Sequence, residues 1–362
     1  MRKLFIVRLI FWCPIDRIMT ISVIIPVYKV QKYIRRCLES VISQKCDRFF
    51  IECLIIDDCS PDDSMSIVND VISSYQGNSI VFKLLRHQEN RGLSEARNTG
   101  IKAATGDFIY FIDSDDHIME NTFTSIVAKY ASYPTVDVVV GNSFSVEDKY
   151  LTNSLADSRV STSRYINDKR EMMKMVLRRQ IDRHAWNKLV KRSLIIDNDI
   201  FFDTGLLYED VTWTYKLYSC ASSVLIVPGL TYMYEYNPSS IVHTLSERSN
   251  RMVWSFTFIS DKILKNPPVI NGKKSFFTAH HMFVHHWLLH AIDLYEKFGA
   301  EHDTVRKLNS VKRALLKDAV CHVRPFMALY FLIMFYPFTL LLKSRLFRSN
   351  LDRINRIVYI LS

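Results

Sequence analysis

Short apolar runs alternate with helical patterns through the first 140 residues. The segments 21–27 (ISVIIPV), 51–57 (IECLIID), 80–85 (IVFKLL), 106–113 (GDFIYFID) and 136–140 (VDVVV) are β-branched and almost continuously apolar. Runs of that kind suit strands covered on both faces, as in a parallel sheet. Between the first two, Tyr33, Ile34, Cys37, Leu38, Val41 and Ile42 recur at helical spacing and predict an amphipathic helix. Ser60, Pro61, Asp62 and Asp63 predict a helix start: a capping hydroxyl, a first-turn proline and carboxylates at the positive dipole end. The alternation predicts an α/β fold, a doubly wound, mostly parallel sheet with right-handed crossovers and helices on both faces. Residues 141–250 mix short strands with helices and are expected to complete the same domain, whereas 251–320 read as mainly helical.

Composition narrows the classes. The 362 residues are 48% hydrophobic and 12% aromatic, enough for a sizeable core, which excludes a disordered chain. Only 9 glycines occur, none before Gly77, and neither GxGxxG nor GxxxxGK[ST] is present. That counts against dinucleotide-binding dehydrogenases and P-loop ATPases. Seven cysteines (13, 37, 46, 53, 59, 220, 321) contain no CxxC and read as reduced, structural thiols of a cytosolic protein.

The net charge of +10 lies wholly in the C-terminal third: residues 1–250 carry 30 basic and 30 acidic side chains, residues 251–362 carry 17 and 7. Met1–Ile18 is basic and apolar, but Arg8 breaks it and no small-residue cleavage site follows. It is expected to be an N-terminal extension, either upstream of a start at Met19 or a membrane-surface segment. Pro325–Leu342 is an uncharged stretch of 18 residues with basic residues on both sides and Pro337 inside it. Those features favour lying in a membrane interface over spanning or core burial. Residues 321–362 are therefore expected to be a basic, apolar, membrane-associating tail on an anionic membrane surface. The expected place is cytoplasmic and peripheral on the inner face of the cell membrane, and no nucleic-acid partner is expected.

In a parallel sheet, ligands gather outside the carboxyl ends of the strands. Asp57 and Asp58 end one apolar run; Asp113, Ser114, Asp115 and Asp116 end another. Carboxylates crowded at such an edge repel one another and call for a cation or a donor-rich ligand. Asp-x-Asp suits a hard divalent ion, Mg²⁺ or Mn²⁺, whose open positions accept phosphate oxygens. A nucleotide diphosphate is anionic and needs such a bridge, which also stabilises a departing diphosphate.

The strings ISVIIPVY, LIIDDCSPDDS and ENRGLSEARNTGIKAATGDFIYFIDSDD together resemble the nucleotide-binding half of the family-2 glycosyltransferases. AWNKLVKRSLI (185–195) and YEDVTWTYKLY (208–218) are similar to their acceptor half. The resemblance spans roughly residues 20–240 and implies a GT-A fold. It implies a domain over 19–245, with 19–120 for the nucleotide and 121–245 for the acceptor, ahead of a helical region over 246–320. It further implies that Pro26, Val27 and Tyr28 pack on the base, that Asp57, Asp58 and Asp113 serve the donor, and that Arg97 helps bind nucleotide or diphosphate. Asp113, Asp115 and Asp116 become metal candidates, with His243 a weaker one from a closing loop. Glu209 and Asp210 match the acidic pair whose aspartate is the general base of inverting members. A carboxylate opposite the leaving group is what a weakly nucleophilic hydroxyl requires. The implied partners are a nucleotide-diphosphate sugar, UDP-linked by expectation, and a glycan or lipid-linked acceptor of a surface polysaccharide.

Two rivals remain at this level. A sugar-phosphate nucleotidyltransferase shares the core but needs a glycine-rich loop that PVYKVQKYIRRC lacks; a catalytically inactive scaffold would keep the fold without the reaction. Trp186 reads equally as core or as acceptor wall. His280, His281, His285, His286 and His290 read as polar or interfacial positions of an amphipathic helix, since no acid lies among them to support a metal.

Overall fold

The structure, a computed structural model, describes residues 18–44, 48–145, 162–178, 180–235, 237, 249–268, 270 and 274–322. The first apolar runs form strands β1 (Met19–Val27), β2 (Phe49–Asp57), β3 (Ile80–Arg86) and β4 (Phe108–Phe111). β1 pairs in parallel with β2 and with β4, and β2 pairs in parallel with β3. Every residue of β1 except Thr20 is buried, which is why the run shows no polar alternation.

Helices α1 (Ile34–Ile42), α2 (Ser64–Ser74) and α3 (Leu93–Ala103) make the crossovers. Moving outward from β1 to β3 and back to β4, right-handed connections put α1 and α2 on one face and α3 on the other. α1 buries Ile34, Cys37, Leu38 and Val41, the predicted stripe. α3 approaches β1 at Gly100, where an added Cβ would stand 2.4 Å from Ile24 Cγ2. The second helix begins later than the sequence suggests. Asp57 takes the Ser60 backbone N–H at 2.8 Å, and Asp62 Oδ1 accepts the hydroxyls of Ser60 at 2.7 Å and Ser64 at 2.6 Å. These local bonds hold residues 57–63 in a loop, and α2 starts at Ser64.

Beyond β4 the sheet becomes mixed. β5 (His117–Ile118), β6 (Val138–Ser145), β7 (Arg164–Ile166), β8 (Lys188–Lys191) and β9 (Val224–Tyr234) extend it in the order β3-β2-β1-β4-β8-β6-β9-β5, with β7 also on β9. β8 lies antiparallel between β4 and β6, while β6 and β9 are parallel. The parallel expectation thus describes the half up to β4. Helices α4 (Thr122–Ala131), α5 (Lys169–Leu177), α6 (Arg192–Asp197) and α7 (Glu209–Cys220) cover this second half.

A helical layer follows: α8 (Ser249–Lys265), α9 (Lys274–Phe298) and α10 (His302–His322) pack on one another, α9 against α5 and α8 against α7. His280, His281 and His285 are buried in this layer, which corrects their expected interfacial place. His280 Nδ1 meets Tyr215 Oη at 3.1 Å, and His281 Nε2 meets Asp318 of α10 at 2.6 Å. The missing acid therefore comes from another helix. Burial, with His281 adding to it at His280, holds His280 and His285 down to about 3, so both are neutral. Among the described residues no helix is long and apolar enough to cross a membrane. The expected tail beyond residue 322, residues 1–17 of the extension, and His243 lie outside the described residues.

Candidate functional site

Asp113 follows β4 by two residues and turns its carboxylate toward α3. Its Oδ1 accepts Arg97 Nη2 at 2.6 Å. Arg97 Nη1 in turn donates to Glu209 Oε1 and to Asp210 Oδ1, each at 2.7 Å. One guanidinium, 1% exposed, thus joins a strand end of the nucleotide half to the first turn of α7. Tyr208, just before α7, holds the left-handed conformation (φ 61°, ψ 39°), and the acidic pair after it meets Arg97. That conformation costs about 1–2 kcal/mol for a residue with a Cβ, and packing of the Tyr208 ring against Phe256 and Trp287 fixes it.

The electrostatics follow from the crowding. Burial works against the Arg97 charge, but Asp210, Asp113 and Glu209 overcome it and hold the pKa far above an ordinary arginine. Burial and the neighbouring Asp210 push Glu209 upward against the pull of Arg97. Arg97 Nε has no hydrogen-bond partner among the described residues, and the guanidinium lies 5.2 Å from the Phe202 ring centroid. Its terminal nitrogens are engaged by carboxylates. Arg97 is therefore placed as a link between acids, where the sequence suggested a contact open to nucleotide.

Asp115 is half-buried, and burial followed by the Asp113 charge raises its pKa; Asn237 Nδ2 donates to it at 3.0 Å. Asp116 has a different setting. It is fully buried, and its two oxygens accept Tyr232 Oη at 2.7 Å and the Glu235 backbone N–H at 2.8 Å. Both its oxygens are taken inside the fold, which leaves Asp113 and Asp115 as the half-buried acids of this loop. Two carboxylates without a third ligand suit a hard ion that completes its shell with phosphate oxygens and water. Among the described residues no three His, Cys, Asp or Glu side chains stand close enough to hold a metal unaided.

The second acidic pair divides in the same way. Asp58 is buried and saturated: Oδ1 meets His87 Nδ1 at 2.7 Å and the Arg91 N–H at 2.8 Å, and Oδ2 accepts the Gly92 N–H at 2.8 Å. It fastens the loop before α3 and is not open to a donor. Asp57 Oδ1 accepts the Ser60 N–H and Oδ2 faces Arg86 Nε at 3.2 Å. β1 lies between β2 and β4, so Asp57 and Asp113 flank its end about two strand spacings apart, roughly 10 Å. Pro26 and Val27 are buried at that end, and only Tyr28 presents a face, at 39% exposure. His87, Tyr232 and Asn237 escaped sequence reasoning. Each acts on an acid 29 to 122 residues away, and no local pattern marks such pairs.

The sequence family described as glycosyl transferase family 2 matches residues 22–199. The glycosyltransferase EpsH of Bacillus subtilis, described as putative, is 34% identical over 231 residues, 63% of this chain and 64% of that protein. Poly(ribitol-phosphate) beta-N-acetylglucosaminyltransferase TarS of Staphylococcus aureus is 28% identical over 218 residues, 60% of this chain and 35% of that protein. The chain spans less than two thirds of the length of these relatives. Among solved structures, TarS 1–349 in complex with UDP-GlcNAc superposes with a TM-score of 0.63 at 20% identity, covering 84% of both chains. That likeness shows the fold, a mixed α/β sheet of GT-A type followed by helices. Motif order, sheet order and these matches agree: residues 22–199 form a domain of glycosyl transferase family 2.

Proposed function

We propose that the protein is an inverting glycosyltransferase that moves a sugar from a nucleotide diphosphate, UDP-linked by preference, to a hydroxyl of a surface glycan or lipid-linked acceptor. One observation carries this reading: Asp113 and Asp210, from the two halves of the domain, share a single guanidinium. Residues 19–120 serve the donor and 121–245 the acceptor. UDP-GlcNAc in the TarS complex, and GDP-Man with Mn²⁺ in a Pyrobaculum calidifontis mannosyltransferase of TM-score 0.51, support a nucleotide sugar and a divalent ion.

In the proposed reaction Asp210 takes the proton of the acceptor hydroxyl as that oxygen bonds to the anomeric carbon. The bond from that carbon to the diphosphate oxygen breaks on the opposite face, and the electron pair leaves with the nucleoside diphosphate. Arg97 keeps Asp210 oriented. Tyr28 offers a ring face to the base, and Asp57 an acceptor at the neighbouring strand end. Asp113 and Asp115 would hold Mg²⁺ or Mn²⁺, which supplies charge stabilisation to the departing diphosphate.

Purified protein with Mn²⁺ and a panel of UDP-, GDP- and TDP-sugars tests this. Metal-dependent release of one nucleoside diphosphate, lost in Asp115→Ala, is expected; release from no donor would favour an inactive scaffold. We also propose that the basic tail holds the enzyme on the cytoplasmic leaflet, where lipid-linked acceptors lie. Deleting residues 321–362 should move it from the membrane to the soluble fraction, and unchanged fractionation would overturn that part.

A further inference from the structure

Three rings stand in file beside the acidic cluster. Tyr232 lies 4.3 Å from Trp186 with 8° between planes, and Trp186 lies 4.5 Å from His184 with 10°. The first two rings are buried, while the His184 side chain is 53% exposed. Asp182 splints it. Its Oδ1 is 2.8 Å from His184 Nδ1 and accepts the His184 backbone N–H at 3.1 Å. From the other side of the same loop, the Arg183 guanidinium lies 4.9 Å from the Trp287 ring centroid and 5.6 Å from that of Phe283, both on α9. A solvated surface histidine needs neither a carboxylate behind it nor two rings beneath it.

The charges point the same way. Desolvation of the ring face stacked on Trp186 opposes the imidazolium, and so does Lys188, whose Nζ donates to the His184 carbonyl at 2.5 Å. Asp182 and Asp210 outweigh both and raise the His184 pKa. The Tyr232 hydroxyl at the far end of the file donates to Asp116 at 2.7 Å and accepts the Asp113 backbone N–H at 3.2 Å, which places the stack against the acidic loop. With Nδ1–H donating to Asp182, Nε2 is the edge that takes up the second proton, and the charged ring then donates from it to an anionic oxygen.

The geometry points to the Asp182–His184 pair, backed by Trp186, as an anion-binding contact on the acceptor-half wall, its Nε2–H donating to a phosphate oxygen. This rests on the proposed function. Two molecules in that cleft could bring the oxygen: the donor diphosphate, or an acceptor bearing a phosphate.

The test is an NMR titration of the full chain with ¹³C-labelled histidine, the His184 resonance being assigned among the 11 histidines by its loss in His184→Gln. The free protein should show a midpoint above 6.5, lowered in Asp182→Asn. UDP with Mg²⁺ should raise it further if the diphosphate is the source, and glycerol 3-phosphate if the acceptor is. His184→Arg should keep affinity for the effective probe, whereas His184→Gln should weaken it about tenfold. A midpoint at or below 6.5, or a resonance that neither probe moves, overturns the inference. Calorimetry of UDP with Mg²⁺ on Asp115→Asn separates the two readings: undiminished binding there removes the donor site, whereas a silent His184 removes only this contact.

Discussion

Arg97 Nη1 stands 2.7 Å from Asp210 Oδ1, although 113 residues separate them in the chain. The same guanidinium reaches Asp113, so an ionic contact joins the two halves of the domain. Removing it leaves three carboxylates facing one another with little water. Arg97→Ala should lower stability by about 3–5 kcal/mol, read as a fall in the denaturant midpoint. Arg97→Ala with Glu209→Ala should recover part of that loss, because one of the repelling charges is gone. A double variant no more stable than the single one would mean that the acids are compensated otherwise.

Asp210→Asn keeps shape and removes the proton acceptor. Transfer with the donor found active in the panel should fall by about 10²–10⁴-fold, with the donor dissociation constant unchanged. Rapid-quench measurement of transfer beside equilibrium donor binding separates the two. A variant that transfers normally would assign the proton to another group.

Asp115 and Asp116 are adjacent in sequence and opposite in setting. Asp116→Asn should cost about 1–3 kcal/mol, since one buried partner loses its acceptor, and leave the metal concentration for half-maximal release unchanged. Asp115→Asn should do the reverse. Thermal melts and metal titrations on both variants check the contrast.

Glu52 shows a pH signature of the fold itself. It is buried, which would raise its pKa, but Lys83, Ser22 and Thr105 override this and bring it down to about 2. A depressed carboxylate contributes stability above its unfolded value of 4.5 and loses it as pH falls toward 2. Glu52→Gln should therefore be less stable than the parent by about 2 kcal/mol at neutral pH. The gap should close between pH 4.5 and 2 in paired urea titrations.

Gly100 tests the packing of α3 on β1. Gly100→Ala places a methyl 2.4 Å from Ile24 Cγ2 and should cost about 1–3 kcal/mol. Ile24→Val combined with it should return part of the loss if Ile24 is the obstacle.

The strands of the nucleotide half were legible because burial on both faces writes itself as an unbroken apolar run, as in Val23 to Ile25 and Leu54 to Ile56. Their edge acids were legible for the same reason: each follows directly on such a run. Which acid faces the cleft was not. Asp57 and Asp58 look alike in sequence, yet the backbone of Arg91 and Gly92 claims the second, and Tyr232 claims Asp116 over Asp115. These choices depend on segments 33 to 116 residues away, which meet only when the sheet is assembled. The Ser60 cap was misplaced because Asp57 and Asp62 compete locally for the groups a helix would use.

A guanidinium divided among Asp113, Glu209 and Asp210 makes a balance with arms of fixed reach. A dication drawing on Asp113 would weaken that arm and leave the arginine to Glu209 and Asp210. Loading of the donor side would thereby be felt at the proposed base through a single side chain, so the two substrates would be sensed as a pair rather than singly.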